Sequence, residues 1–339
     1  MERCYFTCAG CGQGSFGSDR LLGIEGYLTG GARRMACLAG VRQSFAQAEQ
    51  LLAELAGWHL DDETIRRLCH ATAAQATATR DARVTPATFA AAPGDREVQI
   101  DAGKVNTQGG WRDVKVAVFA CRRRGEPARI ADWDRRALPA PAVRSVIAAI
   151  EEATLFGDRC GAEARRLGLT EPTALNVLGD GADWIWNLSG RQFPGAAEAL
   201  DAYHGVAHLA EGARRVFGEG AAATAAHTER GRQRLLQDGY WGVVEWVGEL
   251  GGQIPAGGDG AVLGEVLNYF ANHRERLNYA VRLRRGQAIG SGLVEGSIKQ
   301  LLNRRLKQTG ARWKVRHVGP LVELVATADS PDWNGLWNN

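Results

Sequence analysis

Apolar residues recur at helical spacing between residues 33 and 80 and at strand spacing from Val98 onward, so the chain changes character along its length. Ser44-Phe45-Ala46-Gln47 has the spacing of a capping box, with Ser44 as N-cap and Gln47 reaching back. Phe45, Ala48, Leu51, Leu52 and Leu55 then follow at helical period, and Gly57 is a suitable stop. Asp61-Asp62 opens a second helix carrying Ile65, Leu68 and Cys69. Two short helices with a tight join fit either a helix-turn-helix or a helical hairpin that only packs. Residues 76–95, rich in Ala, Thr and Pro, read as a linker.

Beyond it, Val98-Gln99-Ile100-Asp101 alternates as a strand, and Trp111 to Phe119 does so more strongly, with Gln108-Gly109-Gly110 as a hairpin turn. A third strand is expected around 128–137, and a helix from about Pro141 to Leu167 with Val143, Val146, Ile147, Ile150 and Leu155 on one side. Ala174 to Gly181 is a short apolar run closed by Gly-Asp-Gly, which predicts a buried strand with a carboxylate at its C-terminal end. A further short strand is expected near Ala197–Tyr203. This order predicts an α/β layer with a mixed sheet. Residues 206–285 are helical in period and read as an insertion, broken by a loop at Gly251–Gly260. The last long helix is expected from Gly292 to about Gln308, with Val294, Ile298, Leu301 and Leu302 as its apolar stripe.

The 339 residues suggest about two domains, and 45% hydrophobic residues are enough to build a core. No apolar run approaches ~18 residues and the N-terminus lacks the apolar stretch of a signal peptide, so no membrane partner is expected. The expected location is the cytoplasm, with nucleoid association. Seven cysteines, an odd number without an export signal, argue against a disulfide framework. The net charge of +3 is too mild to identify a nucleic-acid partner. Its distribution is more telling: between Arg282 and Arg316 lie ten basic residues and one acid, Glu295.

Three carboxylates stand out by context. Asp101 ends a strand-like segment, Asp180 ends the buried run, and Glu295 opens the final helix after Gly290-Ser291-Gly292. Clustered carboxylates repel one another unless cations lie between them, and hard oxygen ligands suit Mg²⁺ or Mn²⁺. A metal ligand beside Lys and Arg is also what phosphoryl transfer on DNA requires.

Gly179 to Trp186 resembles the second-aspartate segment of DDE transposases of the ISKra-four insertion-sequence family. So does Ile289 to Ser297, continuing through Asn303-Arg304-Arg305-Leu306-Lys307 to Gly310-Ala311-Arg312-Trp313. Gln99-Ile100-Asp101-Ala102-Gly103 resembles the first-aspartate segment, which more often reads Asp-Gly than Asp-Ala-Gly. The resemblance covers most of residues 97–315. It implies a ribonuclease H-like mixed-sheet core with a helical insertion, preceded by a small helix-turn-helix-like region. It implies Asp101, Asp180 and Glu295 as a catalytic triad holding Mg²⁺ or Mn²⁺. It also implies double-stranded DNA partners, the terminal inverted repeats and the target, with assembly of a homo-oligomer on the DNA.

On this reading residues 1–24 are the remnant of a zinc ribbon and 25–90 a helical DNA-binding region with its linker. Residues 94–205 with 286–315 form the core, 206–285 the insertion and 316–339 a tail. Arg66, Arg67, Lys299, Arg304, Arg305, Lys307 and Arg312 are the expected DNA contacts. Asp201-Ala202-Tyr203-His204 looks like an Asp-x-x-His element of related transposases, with His204 as an active-site residue. His208 lies four residues on, and Gly205 stands where a zinc protease needs its Glu, so that reading fails. Trp184 and Trp186 flank the second aspartate and cannot share one helical face, so one is expected in the core.

Cys8-Ala9-Gly10-Cys11 has the spacing of one zinc-ribbon knuckle. In the resembled family it matches the second half of a ribbon, so the zinc site is expected to be incomplete and the chain shortened at its N-terminus. Alternatives are a catalytically impaired DNA-binding protein, a ribonuclease H-like structure-selective nuclease and, more distantly, a carboxylate-pair glycosidase.

Overall fold

The computed structural model describes residues 4–25, 27–80, 85–254 and 259–337. Residues 81–84 of the expected linker, 255–258 of the expected loop, and the extreme ends of the ribbon and tail segments lie outside the described residues. The chain divides into two compact units. The first comprises residues 1–84, 104–112 and 299–339; the second comprises 85–103 and 113–298.

In the first unit, β1 (Tyr5–Thr7) pairs antiparallel with β2 (Gly14–Phe16). Next come α1 (Gly17–Leu22) and the two-residue strands β3 (Ile24–Glu25) and β4 (Leu28–Thr29). Three helices follow: α2 (Gly30–Arg42), α3 (Phe45–Ala56) and α4 (Asp62–Ala78). The capping box forms as expected. Gln47 N donates to Ser44 Oγ and Ser44 N to Gln47 Oε1, both at 3.2 Å, and Gly57 closes α3 in the left-handed region. Asp61 caps α4 by accepting from Thr64 N at 3.0 Å. Ala36, Cys37, Val41, Leu52, Ile65 and Cys69 are buried, so the three helices share one apolar core.

The second unit begins with α5 (Thr85–Ala91), a helix where only linker was expected. The long strands β5 (Asp95–Thr107) and β6 (Gly110–Arg122) are joined by Gln108-Gly109, a two-residue turn that only antiparallel neighbours allow. The third strand is β7 (Val143–Ala149), not residues 128–137, which carry a short 3-10 turn at Ile130–Asp132. The helix read from Pro141 is therefore shorter, α6 (Ala153–Arg166). Val143, Val146 and Ile147 fit a helical stripe, but they also fit a strand buried on both faces, and pairing with β6 selects the strand.

Then come β8 (Leu175–Gly179), α7 (Asp183–Gln192), β9 (Ala197–Leu200) and the helices α8 (Ala202–Phe217), α9 (Ala222–Gly251, kinked at Gly239), α10 (Ala261–Asn272) and α11 (Tyr279–Arg284). α12 (Gly292–Ile298) completes the unit. The sheet order is β7-β6-β5-β8-β9, with β8 and β9 parallel to β5 and β7 antiparallel to β6. The class is thus α/β with a five-stranded mixed sheet. One apolar cluster runs from Ile100 and Phe119 through Phe156 and Ile185 to Trp246 and Phe270.

After α12 the chain makes a π-helical turn over Lys299–Arg304 and re-enters the first unit. The expected stripe Val294, Ile298, Leu301 and Leu302 is buried. α13 (Val315–Ala328) packs on α4 and α2, and α14 (Asp332–Gly335) packs on α13. No helix among the described residues is long and apolar enough to cross a membrane.

Candidate active site

The sheet register brings the site together. Ile100 pairs with Gly179, and Gly179 with Leu200, across three adjacent parallel strands. The next residue on each is an aspartate: Asp101, Asp180 and Asp201. Neighbouring strands lie about 4.8 Å apart, so the three carboxylates start from one line. Asp101 does not end its strand as expected, because β5 continues to Thr107. It is uncovered because its neighbour β8 stops at Gly179.

Of the three, Asp201 is fully buried and Asp101 and Asp180 are half-buried. Asp201 caps α8 by accepting from His204 N at 2.9 Å. Its other oxygen accepts from Ser291 N and from Ser291 Oγ, the latter at 2.7 Å. Its backbone N donates to Gly179 O at 2.8 Å, extending the ladder. Asp201 therefore fastens the 289–292 segment to the end of the sheet. Gly290 packs closely there: a Cβ would lie 3.0 Å from the Tyr203 ring, which would have to shift slightly.

Glu295 arrives through two anchors. Ser291 Oγ lies 3.3 Å from Glu295 Oε1. Gln99 Oε1, fully buried on β5, accepts from Leu293 N at 2.9 Å and Val294 N at 3.3 Å, two amides of the first turn of α12. Gln99 stands two residues before Asp101, so one strand positions both Asp101 and the helix of Glu295. Ligand atoms of Asp201, His204 and Glu295 lie within 4.8 Å of one another.

The electrostatics agree with this geometry. Burial pushes the Asp101 carboxyl up to about 6, helped by the negative charges of Asp180 and Glu295 and opposed by donation from Ala102 N and by His204. His204 is pushed up to about 9, chiefly by Asp201, which lies 3.4 Å from Nδ1, and further by Asp180 and Glu295, with burial opposing. Burial alone would raise Asp201, but donation from His204 and Ser291 holds it below the usual carboxylate range. The surroundings thus favour the charged forms of Asp201 and His204 and oppose that of Asp101.

Tyr269 bounds Asp180 by donating from its hydroxyl to the Asp180 carbonyl at 3.1 Å. Gly181, at φ +106°, allows this approach, because a Cβ there would meet the Tyr269 hydroxyl at 2.6 Å. His208 stacks on Tyr269 with centroids 3.7 Å apart, a structural role. Trp186 is buried and Trp184 packs on Phe156, so neither faces the carboxylates as a free ring. Tyr203 is an exposed aromatic that feels the charges of Asp201 and Glu295, and its ring lies tilted against Trp133 with centroids 4.6 Å apart. It lay inside the Asp-x-x-His segment and carried no separate signal.

The expected DNA contacts divide. Lys299, Arg304, Lys307, Arg312 and Arg67 are exposed, and Arg66 is half-buried in an ion pair with Glu63 at 2.5 Å. Arg305 is a correction. It is 1% exposed, donates from Nε to Gly40 O at 2.8 Å, and lies over the rings of Phe45 (4.6 Å) and Trp313 (5.3 Å). A guanidinium so enclosed does not reach phosphate. Replacing Arg305 by alanine is expected to lower stability by about 2–4 kcal/mol, measured by urea unfolding, through lost packing and an orphaned Gly40 carbonyl. Arg282, in the same basic run, is likewise buried and bonds Asn278, Asn176 and the carbonyls of Ala288 and Ala197.

Cys8 and Cys11 sit exposed at the tip of the β1–β2 hairpin. Donation from Cys11, then from Gly10, lowers the Cys8 thiol from its ordinary value. Among the described residues, no third Cys, His, Asp or Glu joins the two sulfurs at ligand distance.

No protein-family model matches the chain, and no curated protein is significantly similar to it.

Proposed function

We propose that the chain is a metal-dependent DNA strand-transfer enzyme of the DDE transposase type, similar to the ISKra-four insertion-sequence family, with Asp101, Asp180 and Glu295 as its metal ligands. The observation that carries this reading is the placement of Asp101, within β5, beside Asp180, just past the end of the adjacent strand β8, together with the helix of Glu295, whose first turn β5 holds through Gln99. The sheet order β7-β6-β5-β8-β9 fits a ribonuclease H-like core. The donor set suits a hard divalent cation, since half-buried carboxylates raise one another's cost of ionisation and two positive charges relieve it. Asp101, Asp180 and Glu295 would hold Mg²⁺ or Mn²⁺, which would supply Lewis-acid polarisation and ease deprotonation of the attacking oxygen.

The chain's own residues do the rest. Asp201 keeps His204 protonated, so its cation is available to the scissile phosphate beside the carboxylates. Hydrolysis breaks the P–O3′ bond and leaves a 3′-hydroxyl. That hydroxyl then attacks a target phosphorus, exchanging one phosphodiester for another, so no covalent enzyme intermediate and no nucleotide cofactor are needed. α3 and α4 are the segment suited to reading the element's ends, and Lys299, Arg304, Lys307 and Arg312 to steering phosphates.

Incubating the protein with Mg²⁺ or Mn²⁺, a labelled duplex from the DNA flanking its gene, and a target plasmid tests the proposal. Nicks with 3′-hydroxyl ends and joined donor–target products are expected. Cleavage without joining would replace strand transfer by hydrolysis alone. Binding without any metal-dependent product would leave only a DNA-binding role.

A further inference from the structure

α2 and α4 pack against each other, and their contact holds two thiols, Cys37 and Cys69, which are 0% and 1% exposed. Cys69 Sγ lies 4.0 Å from the Cys37 carbonyl oxygen, and the two side chains hydrogen-bond each other. Cys37 Sγ lies 3.3 Å from Thr72 Oγ1. Gly40, one turn after Cys37 on α2, makes room for this arrangement: a Cβ there would meet Cys69 Sγ at 2.7 Å and Ile65 at 3.0 Å. The other two buried thiols are placed differently. Cys121 donates to Phe89 O at 3.8 Å, and burial pushes the Cys160 thiol up.

Charge supplies a second, independent observation. Arg305 is 1% exposed and donates from Nε to Gly40 O, while its Nη2 is buried without a hydrogen-bond partner. Among the described residues it pairs with no carboxylate. Burial pushes the guanidinium down to about 10, and the one acid that supports its charge is Cys69. A buried cation without an anion is costly, so Arg305 favours negative charge on the thiols beside it. Donation from Cys69 lowers the Cys37 thiol, with Thr72 and Arg33 helping and burial opposing. The same bond raises Cys69, and Arg305 opposes that rise. The pair therefore gives up its first proton more readily than its second. The thiolate is the nucleophilic form of cysteine, and a neighbouring guanidinium favours it.

We propose that Cys37 and Cys69 form a redox-active dithiol that a peroxide closes to a disulfide between α2 and α4, with Arg305 favouring the attacking sulfur. One sulfur, as thiolate, attacks a peroxide oxygen. The O–O bond breaks, hydroxide leaves and takes up the proton the thiol released, and a sulfenic acid remains. The second thiol attacks that sulfur, the S–O bond breaks, and water leaves as the S–S bond forms. Two thiols are oxidised and one hydrogen peroxide is reduced to two waters; a dithiol reductant reverses the bridge. The bridge closes a loop that contains all of α3, so it fastens the three helices to one another. Both sulfurs are buried, so the rate combines local opening of α2 from α4 with the chemical step.

The test treats the full chain with graded hydrogen peroxide, blocks the remaining thiols with iodoacetamide under denaturing conditions, digests with trypsin without reductant and reads the peptides by mass spectrometry. The expected product joins residues 35–42 to residues 68–80, is two hydrogens lighter than its parts and is split by dithiothreitol. Cys121 and Cys160 should be recovered alkylated, and Cys69→Ser should abolish the product. Arg305→Met keeps a packed stem without the charge and should slow the reaction roughly 10-fold, whereas Arg305→Lys returns the charge and should recover much of the rate. Cys37 and Cys69 recovered as two alkylated thiols, at a dose that oxidises the exposed Cys8 and Cys11, overturn the dithiol. Bridges from Cys37 or Cys69 to Cys4, Cys8 or Cys11 in place of the expected one overturn it too. Arg305→Met reacting no more slowly than Arg305→Lys overturns the part given to Arg305.

Discussion

Replacing Asp180 by asparagine is expected to lower Mg²⁺-dependent strand cleavage by about 10³-fold or more while leaving duplex affinity nearly unchanged. The substitution keeps the shape and one amide oxygen. That oxygen can still accept from Ala182 N, which now bonds Asp180 Oδ1 at 3.0 Å. The Tyr269 hydroxyl bonds the backbone carbonyl and is untouched. Only the negative charge is lost, and with it a strong ligand for a hard cation. Since Asp180 raises the cost of ionising Asp101, its neutralisation should not destabilise the fold. Initial rates with end-labelled duplex, alongside a thermal melt, separate chemistry from folding. Undiminished cleavage would remove Asp180 and the proposed triad from the reaction.

The second large effect is expected at Asp201, a residue whose task is positioning. Both its oxygens accept: one from His204 N, the other from Ser291 N and Oγ. Asparagine must turn its amide donors toward one of these sides, setting N–H against N–H inside a fully buried site. The expected cost is about 3–5 kcal/mol, or roughly 10 °C in melting temperature. Cleavage should fall as well, because Ser291 and His204 lose the group that aligns them beside Glu295. A melt unchanged from wild type would show that the 289–292 segment is held by other contacts.

What could be read from sequence follows from how local each cause is. The capping box of α3, the Asp61 cap of α4 and the turn at Gln108-Gly109 depend on residues within four positions, and all three form as the spacing indicates. Val143–Ala149 was read as helix and is a strand, because a doubly buried strand and a helical stripe use the same apolar residues. Only pairing with β6 decides between them. At the site, Asp180 and Glu295 were visible as carboxylates at element ends. Asp201 was visible only as the first letter of a motif whose interest lay in His204. Its burial, and its bonds to a serine ninety residues away, come from the register of β8 with β9. Arg305 shows the opposite failure. In a basic run it looks like its neighbours, and only the packing of Gly40, Phe45 and Trp313 around it marks it as core.

The link between Asp201 and Ser291 also bears on the order of folding. The three aspartates align as soon as β5, β8 and β9 pair, whereas Glu295 is seated only when a loop of 90 residues closes. Closing such a loop costs roughly 4 kcal/mol of chain entropy beyond a constant term, repaid only after the intervening helices have packed. A chain with its sheet paired but residues 286–298 undocked would lack Glu295, and on the proposed mechanism it would be inert toward DNA. Catalytic competence would then be gained late, as a property of the finished fold.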